Sequence, residues 1–134
     1  MRTRIIVGAA VLVAVLGLGT FTSRAGDVAG SRQWTLVTFA DPVIVKDQIV
    51  MGPVLIVHDS DKMARGQACT TFYRFEPGKG PKEELLSFHC RPDARPVVAQ
   101  TTFTYSDSPT ASGCKRLLAY QIAGDAEVHG IPVR

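Results

Sequence analysis

Two patterns of apolar and polar positions divide the chain. Residues 5–19, "IIVGAAVLVAVLGLG", are apolar without a single charge, while beyond residue 32 apolar side chains come in short runs cut by Pro, Gly or Asp. The first pattern is one block of about 15 residues, short of the roughly 20 that a membrane-spanning helix needs. Arg2 and Arg4 precede it and the polar "TFTSRAG" follows, with Ser23-x-Ala25 matching the small-residue pattern at which signal peptidases cut. The expectation is a signal peptide over residues 1–25, cleaved after Ala25, with an uncleaved N-terminal anchor as the competitor. Either sends the remainder out of the cytoplasm, to a periplasm or the medium. No cysteine adjoins the boundary, which argues against a lipid-anchored N-terminus.

The second pattern is that of strands. "QWTLVTF" (33–39) alternates, with Trp34, Leu36 and Thr38 on one face and Thr35, Val37 and Phe39 on the other. "PVIV" (42–45) and "IVM" (49–51) flank a turn at "KDQ", Gly52-Pro53 interrupts, and "VLIVH" (54–58) is apolar on both faces, as a central strand is. A polar run over 59–67 makes a long connection. "CTTFYRFE" (69–76), "EELLSFHC" (83–90) and "VVAQTTFTY" (97–105) follow. Residues 106–113 form a loop by composition, and "CKRLLAYQI" (114–122) suits either a strand or a short helix. No segment sustains a 3.6-residue period. Seven or eight short strands predict an all-β chain, a small antiparallel β-sandwich or barrel. It forms a single β domain over 33–134, behind a flexible lead-in at 26–32.

Removing the leader changes the charge. The chain carries 15 Lys+Arg and 12 Asp+Glu, a net +3. Three of the 15 (Arg2, Arg4 and Arg24) lie in the leader, so 12 basic residues face 12 acidic ones in the rest. With no basic run left and the positives interleaved with carboxylates, nucleic-acid binding is disfavoured. After cleavage no membrane contact is expected. About 109 residues remain, enough for one modest core.

Chemistry concentrates in the cysteines. Cys69 and Cys90 bracket a hairpin whose turn is "PGKGPK". Centring that turn on Lys79-Gly80 sets Cys69 directly opposite Cys90. Cys69, Thr71, Tyr73 and Phe75 then share a face opposite Cys90, Phe88, Leu86 and Glu84. Directly opposed residues lie within disulfide reach and an exported compartment is oxidising. The expectation is therefore a Cys69–Cys90 staple, stabilising by about 3 kcal/mol in the chain-entropy model. Glu76 opposite Glu83 is the weak point of that register. Cys114 is left over: a half-buried thiol, an intermolecular disulfide that would make a Cys114-linked dimer, or a reactive nucleophile.

A metal centre is the sharper alternative. His58, His89 and His129, with Cys69, Cys90, Cys114 or Met63, offer copper or zinc donors, and the set His58, His129 and Cys114 is the one put forward. No ligand pair has metal spacing, and the late "HGIPV" holds no Cys or Met of the kind that a blue-copper loop supplies. In the register above His89 turns away from the sulfurs. Asp59-x-Asp61 lacks the Gly and Glu of a calcium loop. "EPGKGPK" lacks the G-K-[ST] of a phosphate loop, and neither G-x-S-x-G nor H-E-x-x-H occurs.

"VTFADPVIV…IVMGPVLIVHD", over residues 37–59, resembles an F-x-x-P-V-x-V…G-x-x-x-x-x-H/D pattern of small secreted bacterial proteins. The resemblance implies an exported β domain with no assigned activity, and no functional residue is carried over from it. The sequence thus leads to an exported, disulfide-stapled, non-catalytic binding or structural module without a cofactor, whose partner is an unspecified protein or small molecule. The alternative is a periplasmic metal-binding or redox protein.

Overall fold

The computed structural model describes residues 32–107 and 109–133. The expected leader and all of the lead-in but Arg32 lie outside the described residues. Eight strands and one short helix run in the order β1 (Arg32–Val45), β2 (Gln48–Asp59), α1 (Ser60–Ala64), β3 (Thr70–Glu76), β4 (Gly80–Phe88), β5 (Arg91–Ala94), β6 (Thr102–Tyr105), β7 (Lys115–Gln121) and β8 (Glu127–Gly130).

The all-β expectation holds, in fewer and longer early strands than the punctuation suggested. β1 absorbs Pro42 by a bulge between Phe39 and Val43, so both of its apolar runs pair with β2. β2 passes through Gly52 because that residue takes a φ of +82°, which glycine adopts without a Cβ clash. Alternation then sorts the faces. Thr35 and Phe39 on β1, and Val54, Ile56 and His58 on β2, point inward and are buried. His58 is inside because it shares parity with Val54 and Ile56.

The strands form one open sheet in the order β4-β3-β2-β1-β7-β8-β5, with β6 paired to β7. It does not close into a barrel. Its pairs are antiparallel except β1 with β7, which meet in parallel through Val43↔Lys115 and Ile44↔Arg116. Across the core the two halves face each other. Phe39 meets Phe103 edge-on with centroids 5.6 Å apart, Phe72 meets Tyr120 at 6.5 Å, and the Tyr120 and Thr70 hydroxyls lie 2.5 Å apart. Phe72, Ile56, Leu117 and Ile122 fill the space between.

Residues 115–121 are strand, so the strand-or-helix ambiguity resolves toward β7. Of the run 97–105 only Thr102–Tyr105 is paired. β5 and β8 escaped the sequence reading. β5 is "RPDA", fully exposed and paired only with β8, an edge position where proline costs no ladder bond.

The hairpin register is corrected as well. Pairing starts at Glu76↔Gly80, one glycine-rich turn earlier than expected, and two irregularities lengthen β4 until Phe72 faces Leu86 and Thr70 faces Phe88. The buried side chains of β3 are Thr70 and Phe72, so the more apolar-looking face of Thr71, Tyr73 and Phe75, which the sequence would set against the core, is the outer one. Glu83 sits beside Arg74, Nε to Oε1 2.7 Å, which removes the like-charge pair with Glu76.

Candidate metal centre

The site is assembled where β2 ends. His58 arrives there on the inward face of β2. The next residue, Asp59, stops the strand and caps α1: its Oδ1 accepts from the Asp61 and Lys62 N–H groups at 3.0 and 3.1 Å, while Oδ2 accepts from Arg32 Nε at 3.1 Å. Asp59-x-Asp61 is thus a helix cap. One turn of helix carries Met63 to the edge of the core. Cys69 immediately precedes β3 and Cys90 follows β4, both outside the ladder, which is why they meet although the register is not the expected one. The Cys69 N–H bonds to Phe88 O at 3.0 Å, and the Cys90 N–H points at Cys69 Sγ at 3.2 Å. His129 comes from the other half, on β8, paired with Pro92 on β5 and Tyr120 on β7.

Cys90 Sγ is the hub. It lies 2.8 Å from Cys69 Sγ, 3.5 Å from His58 Nε2, 3.6 Å from His129 Nδ1 and 3.7 Å from Met63 Sδ. The two imidazoles overlap with ring centroids 4.0 Å apart. Relative exposures are 0% for Cys90, 0% for His129, 1% for His58 and 2% for Cys69. Phe72, Phe88 and Tyr120 are buried in the same core, and the Tyr120 ring is 5.1 Å from that of His129.

The expected Cys69–Cys90 disulfide is not formed. Both residues are free thiols, and 2.8 Å exceeds the bond length of about 2.05 Å. The expected proximity is met; the covalent staple is not. The set His58, His129 and Cys114 is corrected too. Cys114 stands just before β7, six residues ahead of Tyr120, the partner of His129. At about 3.3 Å per residue that separation is roughly 20 Å. Cys114 lines a groove of about 790 Å³ with Phe39, Pro42, Phe103 and Tyr105. His89 is exposed, as its turn away from the sulfurs suggested. What joins His58 and His129 is Cys90, with Cys69 and Met63. Asp125, which no motif singled out, completes the surroundings.

Burial favours the neutral forms of His58 and Cys90. Burial, then the neighbouring His129, lowers the His58 pKa to about 4, leaving a neutral imidazole that can donate a lone pair. Burial, then the adjacent Cys69 thiol, pushes the Cys90 pKa up to about 12, so its thiolate needs a cation beside it. His129 Nε2 is 2.7 Å from Asp125 Oδ2. Burial resists ionisation of Asp125, but the hydrogen bond and charge of His129 and the Glu127 N–H hold its carboxyl below the usual range. A carboxylate only accepts, so Nε2 carries a proton, and in a neutral ring that leaves Nδ1, the nitrogen nearest Cys90, as the lone-pair donor. Such a carboxylate behind a histidine fixes the tautomer and orientation of a metal ligand. Among the described residues, His58 Nδ1 is a buried nitrogen with no hydrogen-bond partner. That orphan costs stability in a merely structural core.

The spacings from Cys90 match those between ligands of one ion, and His58, Cys69 and Cys90 each hold a donor atom within 4.8 Å of the others. A tetrahedral metal with bonds of about 2.3 Å to sulfur and about 2.0 Å to nitrogen holds a sulfur and a nitrogen ligand roughly 3.5 Å apart. Cys90 Sγ stands at 3.5 and 3.6 Å from the two histidine nitrogens. Thiolate with thioether is a soft donor pair that selects monovalent copper, and imidazole suits copper as well. Comparison with models of protein families, with curated proteins and with solved structures matched none of them to this chain.

Proposed function

We propose that this is an exported copper-binding protein, holding one ion through Cys90, His58 and His129 with Met63 as the thioether ligand. The leader pattern of residues 1–25 supports export. The observation that carries the metal reading is the shell around Cys90 Sγ: two imidazole nitrogens and a thioether sulfur, from three separate elements, all within 3.7 Å. Cys, two His and a weaker Met are also the donors of one-electron copper sites. Binding rather than turnover fits the burial: the cluster lies in the core, with the partly exposed Met63 and a small pocket beside Cys69 at its edge.

The test is titration of the reduced full chain with Cu(I) under nitrogen against a chromophoric chelator, with Zn²⁺ as a parallel titrant. One equivalent of Cu(I), lost in Cys90→Ser with the fold intact, supports the reading. A reduced, folded chain that binds no Cu(I) rejects it.

A second reading, the disulfide-stapled binding or structural module, draws on the same contact. Cys69 and Cys90 Sγ atoms only 2.8 Å apart at the base of the β3–β4 hairpin are placed for a bond in an oxidising compartment. Intact mass without reductant separates the two. Two missing hydrogens and no metal favour the module, while a reducible doubling of mass would reveal dimers through Cys114.

A further inference from the structure

His58, His129 and Met63 set three donors around Cys90, and Cys69 Sγ stands nearer to Cys90 than a fellow ligand of one ion would. Two sulfurs on one tetrahedral ion stand roughly 3.7 Å apart for bonds of about 2.3 Å. Met63 Sδ meets that spacing at 3.7 Å; Cys69 Sγ, at 2.8 Å, does not. Both cysteines are buried, Cys69 at 2% and Cys90 at 0% exposure, but they differ in what lies beside them. Cys69 lines a pocket of about 190 Å³ with Arg32, Asp59, Lys62 and Tyr73. Cys90 is not among the residues around that opening and is fully buried.

We infer that Cys69 is an exchange thiol that ejects the metal: reaction with a disulfide compound entering that pocket, followed by bonding to Cys90, converts a copper-holding thiol pair into a copper-free disulfide. This rests on the metal reading above. In the first step the Cys69 sulfur, giving up its proton, attacks one sulfur of the incoming disulfide. One half of that disulfide leaves and carries the proton away as a thiol. In the second step Cys90 lets go of the ion and attacks the Cys69 sulfur. The other half departs as a thiolate and takes a proton from water. The incoming disulfide gains two electrons and the cysteine pair loses them.

Cys90 cannot be a thiolate ligand and half of a disulfide at once, so the two states exclude each other. Linkage makes this reciprocal. Each tenfold excess of Cu(I) over its dissociation constant favours the reduced pair tenfold, a rise in midpoint of about 30 mV for a two-electron couple.

The test loads the reduced full chain with Cu(I) under nitrogen, adds oxidised glutathione, and follows copper release to a chelator alongside intact mass. The wild type should release its copper and lose the mass of two hydrogens together. Cys69→Ser should bind one Cu(I) and keep it under the same treatment, with Cys69→Ala as the second variant and a melting curve confirming that each is folded. The inference is overturned if the wild type keeps copper while its disulfide forms. It is equally overturned if Cys69→Ser releases copper as the wild type does, or if both folded variants bind none, since Cys69 would then be a ligand. A wild type that takes up no Cu(I) before any oxidant is added rejects the metal reading itself, and that result is visible one step earlier.

Discussion

Cys90 and Cys114 are the same residue in two ends of one sheet, and their surroundings share nothing. Cys90 is wholly buried among a thiol, a thioether and two imidazoles. Cys114 is half-buried on a loop beside an open groove, its thiol 3.9 Å from the Ser112 carbonyl. The difference lies in what the opposite half of the sheet brings across. At the β2 end it is His129 backed by Asp125; at the β7 start it is Phe39, beside Phe103 and Tyr105 of the neighbouring β6. Chemistry here depends on convergence of strands from both halves, and a cysteine without that convergence is only a thiol.

Mutation sharpens the contrast, most of all at the hub. Cys90→Ser should abolish stoichiometric Cu(I) binding, whereas Cys114→Ser should leave it unchanged in the same chelator competition. Equal effects would erase the distinction between the two ends.

Acid should act next most strongly, and at the His58 end alone. His58 stays neutral in the fold down to about pH 4 but takes a proton near 6.5 when unfolded. Between those values the unfolded chain binds more protons. The stability of the reduced, metal-free protein should therefore fall as pH drops from about 6.5 to about 4, by on the order of 3 kcal/mol. Denaturant melts across that range should lose most of this slope in His58→Leu and keep it in Cys114→Ser.

Asp125→Ala should weaken copper binding by about 10- to 100-fold, the usual cost of removing a carboxylate behind a ligating histidine. Asp125→Asn, which can still accept the Nε2–H bond, should recover part of it. A copper affinity indifferent to both changes would mean that His129 is not a ligand. The smallest effect belongs to Asp59→Ala, which removes the cap of α1 and the Arg32 partner. It should cost about 1 kcal/mol of stability, read from thermal or denaturant unfolding, and reach the ion only through the placement of Met63.

Much of the fold could be read locally. Alternation in residues 33–39 and 54–58 depends on chain geometry alone, so strands β1 and β2 and the class of the fold followed from it. Where turn chemistry intervened, reading failed: Glu76 pairs with Gly80 instead of Glu83, and after two extra residues on β4 Phe72 faces Leu86 instead of Ser87, because a bulge is settled by what the two strands pack against. β5 and β8 went unseen, being four-residue strands held by each other and by β7.

The site was legible only as an inventory. His58, His129, Met63 and the cysteines stood out as donor types, but their spacing hid them, since they come from the end of β2, α1, the flanks of the β3–β4 hairpin and β8. Asp125 carried no signal at all.

From the chain alone came the leader pattern, the absence of a basic face, the all-β class and the nearness of Cys69 to Cys90, each resting on neighbours in sequence or on one hairpin. The three-dimensional fold decided which cysteine meets the histidines, which imidazole has a carboxylate behind it, and which cysteine lines a pocket. Those outcomes depend on how two halves of a sheet close over a core, a matter of non-local packing that no local spacing encodes.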